Sequence, residues 1–142
     1  MRFVIDASVA AKWFLPDEPF SATALELLRG ATAGTAELIV PDLFFSECGN
    51  ILWEAARRHR LSAEDTLAAI RIMGDLQTLT VPASGLLERT LEIARSYDRT
   101  FYDSLYIAVA VQQQTHFVTA DEKLANATAA YLPVKWIGSL SI

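Results

Sequence analysis

Four carboxylates in this chain occupy positions where an acid can do more than face water. Asp6 closes the run Arg2-Phe3-Val4-Ile5, and Asp121 comes two residues after the run His116-Phe117-Val118-Thr119. Glu47 lies in the segment Asp42–Arg60, on a helical stripe with Leu43 and Ile51, flanked by Phe44, Cys48 and Leu52. Asp103 opens Tyr102–Val111, which is apolar nearly all round after Ser104. If the four converge, each pair of charges about 5 Å apart repels by roughly 3 kcal/mol at an effective dielectric of 20. Such a cluster either takes up protons or is neutralised by a divalent cation. An all-oxygen carboxylate set suits Mg²⁺ or Mn²⁺. Either ion can acidify a water and stabilise charge on a phosphodiester in transit.

Each acid also has an ordinary reading. Asp6 and Asp121 suit helix N-caps, opening Ala7–Leu15 and Glu122–Ala127. Asp103 suits the positive end of a helix. For Glu47, periodicity leaves three possibilities open: a functional acid on the core face, a stripe rotated so that the acid sits at its wet margin, or a buried ion pair with Lys12 or an arginine. Asp98, in Ser96-Tyr97-Asp98-Arg99-Thr100, reads as a solvated loop acid. Spacing alone does not bring the four together.

The elements that would position them alternate. Strands are expected at Arg2–Ile5, Glu37–Val40, Thr78–Val81, His116–Thr119 and Val134–Ile137, several without period-2 alternation, as in strands covered on both faces. Helical spacing marks Phe20–Gly30, Asp42–Arg60, Ala63–Leu76, Ser84–Tyr97 and Tyr102–Gln114, with Ser62 an N-cap before Glu64 and Asp65. This alternation predicts an α/β protein with a mostly parallel five-stranded sheet. Ligands of such sheets bind at the carboxyl ends of strands, where Asp6 and Asp121 fall.

The length, 142 residues, suits a single domain spanning 1–142, and 52% hydrophobic residues exclude a disordered chain. A mean hydropathy of +0.25 suggests that a partner covers some apolar surface. Cys48 is the lone cysteine, which excludes an internal disulfide or a cysteine zinc site. Asp6 interrupts the apolar start too early for a signal peptide, and no stretch reaches membrane-span length, so a cytoplasmic protein without membrane contact is expected. The net charge of −5 argues against nucleic-acid binding only until the acids are placed. A phosphorelay receiver, which also uses strand-end acids, is discounted: the third strand ends in Pro82-Ala83-Ser84, and no lysine follows the last.

Four blocks then occur in order. They are Val4-Ile5-Asp6-Ala7-Ser8 with Ala11-Lys12-Trp13-Phe14; Ser46-Glu47-Cys48-Gly49-Asn50-Ile51-Leu52; Tyr102-Asp103-Ser104-Leu105-Tyr106-Ile107-Ala108; and Phe117-Val118-Thr119-Ala120-Asp121-Glu122-Lys123-Leu124. Across its whole length the chain resembles the PIN-domain ribonucleases, most of all the VapC-type toxins of type II toxin–antitoxin pairs. The resemblance implies a three-layer α/β/α fold and a metal-dependent endoribonuclease that hydrolyses RNA through an activated water. Asp6, Glu47, Asp103 and Asp121 would be its catalytic, Mg²⁺-binding set (Mn²⁺ substituting), with Asp6 and Asp103 as direct ligands. Ser8, Thr119 and Asn50 would support that set, Asn50 by way of Glu47. Lys12, Arg57, Arg58 and Arg60 are candidate RNA contacts, although basic residues at a helix C-terminus also complement its dipole. Trp13 and Phe14 suit the core better than base stacking. A cognate antitoxin whose tail enters the acidic groove, and a homodimer, are also implied. The competing reading is a PIN-like module that binds RNA or protein without cutting.

Overall fold

The computed structural model describes all 142 residues. Five strands, β1 (Arg2–Ile5), β2 (Glu37–Pro41), β3 (Leu79–Val81), β4 (His116–Thr119) and β5 (Val134–Trp136), form one sheet in the order β3-β2-β1-β4-β5. Every pairing is parallel. Seven helices connect the strands: α1 (Ala7–Ala10), α2 (Ser21–Ala33), α3 (Leu43–Arg57), α4 (Ala63–Gly74), α5 (Leu87–Tyr97), α6 (Phe101–Gln112) and α7 (Glu122–Thr128). Right-handed crossovers from β1 to β2 to β3 put α1–α4 on one face. The return from β3 to β4 runs the opposite way and carries α5 and α6 to the other. The expected three-layer α/β/α architecture is therefore present.

The chain's order across the sheet reverses between β1 and β4, the topological switch point at which open α/β sheets bind ligands. Central strands are buried as expected, Val4, Ile5, Phe117 and Val118 being wholly enclosed. The edges differ from the expectation of full cover. Leu79 and Thr80 of β3 are exposed, because an edge strand of three residues has a neighbour on one side only.

Helix α6 crosses β1, β2 and β4 and buries every residue from Ser104 to Ala110. Its sequence is apolar all round because α5 covers the side turned away from the sheet. Thr100 caps it by accepting the Asp103 N–H at 3.0 Å, and Tyr106 stacks on Phe117 with ring centroids 5.4 Å apart. Ser62 caps α4 as expected, accepting the Asp65 N–H.

Other boundaries move for local reasons. The expected helix Ser84–Tyr97 splits into a 3₁₀ turn, Ala83–Leu86, and α5, since Pro82 and Gly85 weaken the first turn. Asp98 is exposed, yet it is no ordinary loop residue: at φ +51° it closes α5 in the left-handed conformation. Ala7–Leu15 forms one α-turn followed by a 3₁₀ turn over Ala11–Trp13. Trp13 belongs to the core, its indole N–H donating to the Ala24 carbonyl at 2.8 Å; Phe14 packs on that core half-buried.

Candidate active site

The β1–β4 register pairs Ile5 with Val118, so the next residues, Asp6 and Thr119, emerge side by side at the carboxyl edge. Thr119 Oγ1 donates to Asp6 Oδ2 at 2.7 Å. Ser8 Oγ donates to the other oxygen, Oδ1, which also accepts the Val9 N–H at 3.2 Å as the cap of α1. The same hydroxyls reach across to the end of β4. Ser8 Oγ accepts the Ala120 N–H and Thr119 Oγ1 accepts the Asp121 N–H, at 3.2 and 3.1 Å. Asp121 caps α7 through the Leu124 N–H. Both capping readings are thus correct, and they also aim two carboxylates along one edge.

Electrostatics links Asp103 to Asp6 and Asp121 to Asp103. Burial pushes the Asp6 carboxyl up to about 6; its hydrogen bonds from Ser8, Thr119 and Val9 oppose this, and the Asp103 charge adds to it. Asp103, half-buried in the first turn of α6, is raised by burial and by Asp121, against the pull of the Thr100 hydroxyl and Arg99. Burial, with the Glu47 and Asp6 charges adding to it, pushes the Cys48 thiol up to about 12 and leaves it inert.

For Glu47 the structure selects the rotated stripe. Phe44, Cys48, Leu52 and Ala55 form the buried face of α3, and Glu47 stands half-buried at its margin. Its partner is neither Lys12 nor an arginine. The buried Tyr106 hydroxyl donates to Glu47 Oε1 at 2.7 Å, and burial followed by this acceptor raises the phenol. Tyr106 is the functional candidate that sequence reasoning missed. A tyrosine one turn after Asp103, in an otherwise aliphatic buried helix, needs a partner for its hydroxyl, and that was the available signal. Asn50 does not support Glu47: it is exposed, makes no hydrogen bond, and lies between two depressions, one with Glu47 and Tyr102, the other with Ser8 and Asp121.

The basic cluster divides. Arg57 pairs with Glu54 at 2.8 Å and lies over Trp53. Arg60 pairs with Asp17 and Glu18. Arg58, Arg60 and Lys12 line a cleft of about 480 Å³ whose inner wall includes Ser8 and Asp121.

Asp6, Asp103, Glu47 and Asp121 are all-oxygen anionic donors, two of them destabilised by burial and mutual repulsion, and such a set fits a hard divalent cation. As they stand, no three carboxylate, imidazole or thiol groups are drawn close enough to grip an ion. Seating one calls for side-chain rotation.

Residues 3–130 match the family model described as the PIN domain. The chain belongs to the PIN-domain family. It is of the VapC type: Ribonuclease VapC9 of Mycobacterium tuberculosis is 33% identical over 131 residues, covering 92% of this chain and 94% of that one. Among solved structures, PAE2754 from Pyrobaculum aerophilum has the same fold, with a TM-score of 0.70 at 22% identity, over 98% of this PIN domain and 85% of the other. VapBC2 from Rickettsia felis, solved bound to a DNA fragment from its promoter, superposes with a TM-score of 0.66 at 13% identity, over 96% and 98%.

Proposed function

We propose that this PIN domain is a Mg²⁺- or Mn²⁺-dependent endoribonuclease, the toxin of a toxin–antitoxin pair. The observation that carries the reading is Asp6: a carboxylate raised to about 6, clamped through both oxygens at the sheet's switch point and repelled by Asp103. An acid held so firmly where its charge is disfavoured is arranged for a cation. The family relation supplies the substrate, since VapC9 is a ribonuclease by name.

Asp6 and Asp103 would be direct ligands, with Glu47 and Asp121 completing the set. When bound, the ion supplies Lewis acidity and a water acidified towards neutrality. The chain's own groups do the positioning. Ser8 and Thr119 fix the rotation of the Asp6 carboxylate and Tyr106 restrains Glu47, which leaves Asp103 and Asp121 as the donors that would turn towards the ion. The α6 N-terminus sits behind Asp103 and moderates the cost of its charge. Neutralisation of the acids removes much of the barrier that a net charge of −5 sets against RNA.

An antitoxin partner agrees with the likeness to VapBC2, and an acidic mouth would receive a basic side chain from it. Homodimerisation agrees with the exposed Trp53, Leu67, Ile70 and Ile72 on α3 and α4.

Purified protein should cleave RNA with Mn²⁺ or Mg²⁺, stop on addition of EDTA, and lose activity by about 100-fold or more in Asp6→Asn or Asp103→Asn. Cleavage that survives both chelation and substitution would falsify the metal-dependent reading. RNA binding without any cleavage would favour the non-cutting module.

A further inference from the structure

Lys12 is only 7% exposed, yet it makes no hydrogen bond and no ion pair. A lysine with so little water around it is costly unless something answers its charge. Its ammonium is not sealed in the core, because the one enclosed side-chain polar atom lacking a partner is Ser104 Oγ. The ammonium therefore reaches the cleft that the residue lines with Ser8, Asp121 and Arg58.

None of the acids lining that cleft pairs with Lys12. Glu18 accepts from Arg60 at 3.2 Å, Glu54 from Arg57 at 2.8 Å, and Asp121 from the Leu124 N–H at 3.0 Å. Arg58 at the rim also has no ion-pair partner. Two cations without partners, one of them held rigidly by burial, thus share a cleft whose inner wall carries Ser8 and Asp121 of the candidate active site.

The geometry points to a phosphate subsite: Lys12, with Arg58 at the rim, binds the backbone phosphate next to the scissile one in single-stranded RNA. This rests on the endoribonuclease reading and adds to it a fixed direction for the strand, from the acids along the cleft towards the C-terminal end of α3. Burial suits this role. An ammonium fixed on the 3₁₀ turn after α1 contributes a point charge at one location, where a surface lysine would lose conformational freedom on binding.

The test is binding of a fluorescein-labelled short oligoribonucleotide, followed by anisotropy in Ca²⁺, which answers the charge of the acids, across a range of salt concentrations, with the strand checked intact by gel. Lys12→Met keeps the aliphatic stem. It should weaken binding about tenfold and reduce the slope of log K against log salt by about 0.7, the value for one phosphate contact on a single strand. Lys12→Arg should retain the parent slope. Arg58→Gln, at an exposed position that leaves the fold untouched, should lower the slope as well, and it decides the matter if Lys12→Met does not fold. Parent-like affinity and slope in the folded variants overturn the subsite, even where Mn²⁺-dependent cleavage is intact. Unchanged RNA binding with weakened antitoxin capture assigns the lysine to a protein partner and overturns it too. Failure of metal-dependent cleavage itself shows in the parent protein, and so is distinguishable from failure of the subsite.

Discussion

Asp6 carries two properties that pull in opposite directions, and pH separates them. With its carboxyl raised from 3.8 to about 6, the folded protein keeps a proton that the unfolded chain has already released between those values. Its contribution to stability is therefore present below about pH 4 and is lost as pH rises through about 6. In metal-free protein, Asp6→Asn should raise Tm at pH 7.5, while at pH 4 the two proteins should melt nearly together. Mn²⁺ should stabilise the parent at pH 7.5 but not the variant, and its effect should fade below about pH 6 as protons compete. A Tm indifferent to Mn²⁺ at every pH would count against a cation at Asp6. Tyr106→Phe tests the restraint on Glu47. Loss of a 2.7 Å bond to a half-buried carboxylate should cost about 1 kcal/mol of stability, measured by urea unfolding, and about 10- to 100-fold in cleavage rate or metal affinity. Full activity in that variant would leave Tyr106 a core residue only.

At the scale of elements, α6 shows what a sequence discloses and what it withholds. The buried run Leu105–Ala110 could be read from the apolar composition after Ser104, and Asp103 suited the helix's positive end, whereas Thr100 reads as part of a polar loop until the structure shows it as the cap. The orientation of α3 could not be read so well. Two adjacent stripes, Leu43-Glu47-Ile51 and Phe44-Cys48-Leu52, both carry large apolar residues although only the first holds an acid, and periodicity does not fix the centre of a face to within one residue. Packing against β2 and α1 chose the second, which moved Glu47 to the margin and within reach of Tyr106. The pairing of Asp6 with Thr119 was legible only through the family resemblance and not from periodicity, since it depends on which strands become neighbours and in what register. Ser104, on α6, has a buried hydroxyl with no partner. Removing it leaves no other group unsatisfied, so Ser104→Ala should be neutral or stabilising by up to about 1 kcal/mol in urea unfolding. A loss above that would reveal a bond that Ser104 makes in solution.

Across the whole molecule, apolar composition and surface agree. Trp53 of α3 is 58% exposed, and Leu67 and Ile70, which share one side of the neighbouring α4, are exposed as well. Sedimentation equilibrium at micromolar concentration should return the mass of two chains, and Leu67→Glu with Ile70→Glu should shift it towards one. A parent that sediments as a monomer overturns the homodimer. The ordering of the fold along the chain was recoverable from the sequence because strands and helices alternate with clear caps. The sidedness of the surface was not, because exposed leucines and buried ones look alike as letters. One further consequence concerns synthesis. Asp6 and Thr119, whose hydroxyl holds it from β4, are 113 residues apart in the sequence, so a chain emerging from the ribosome carries its first acid long before it carries the threonine that orients it. A fragment that ends before β4 lacks both Thr119 and Asp121, so the centre cannot assemble until most of the polypeptide has been made.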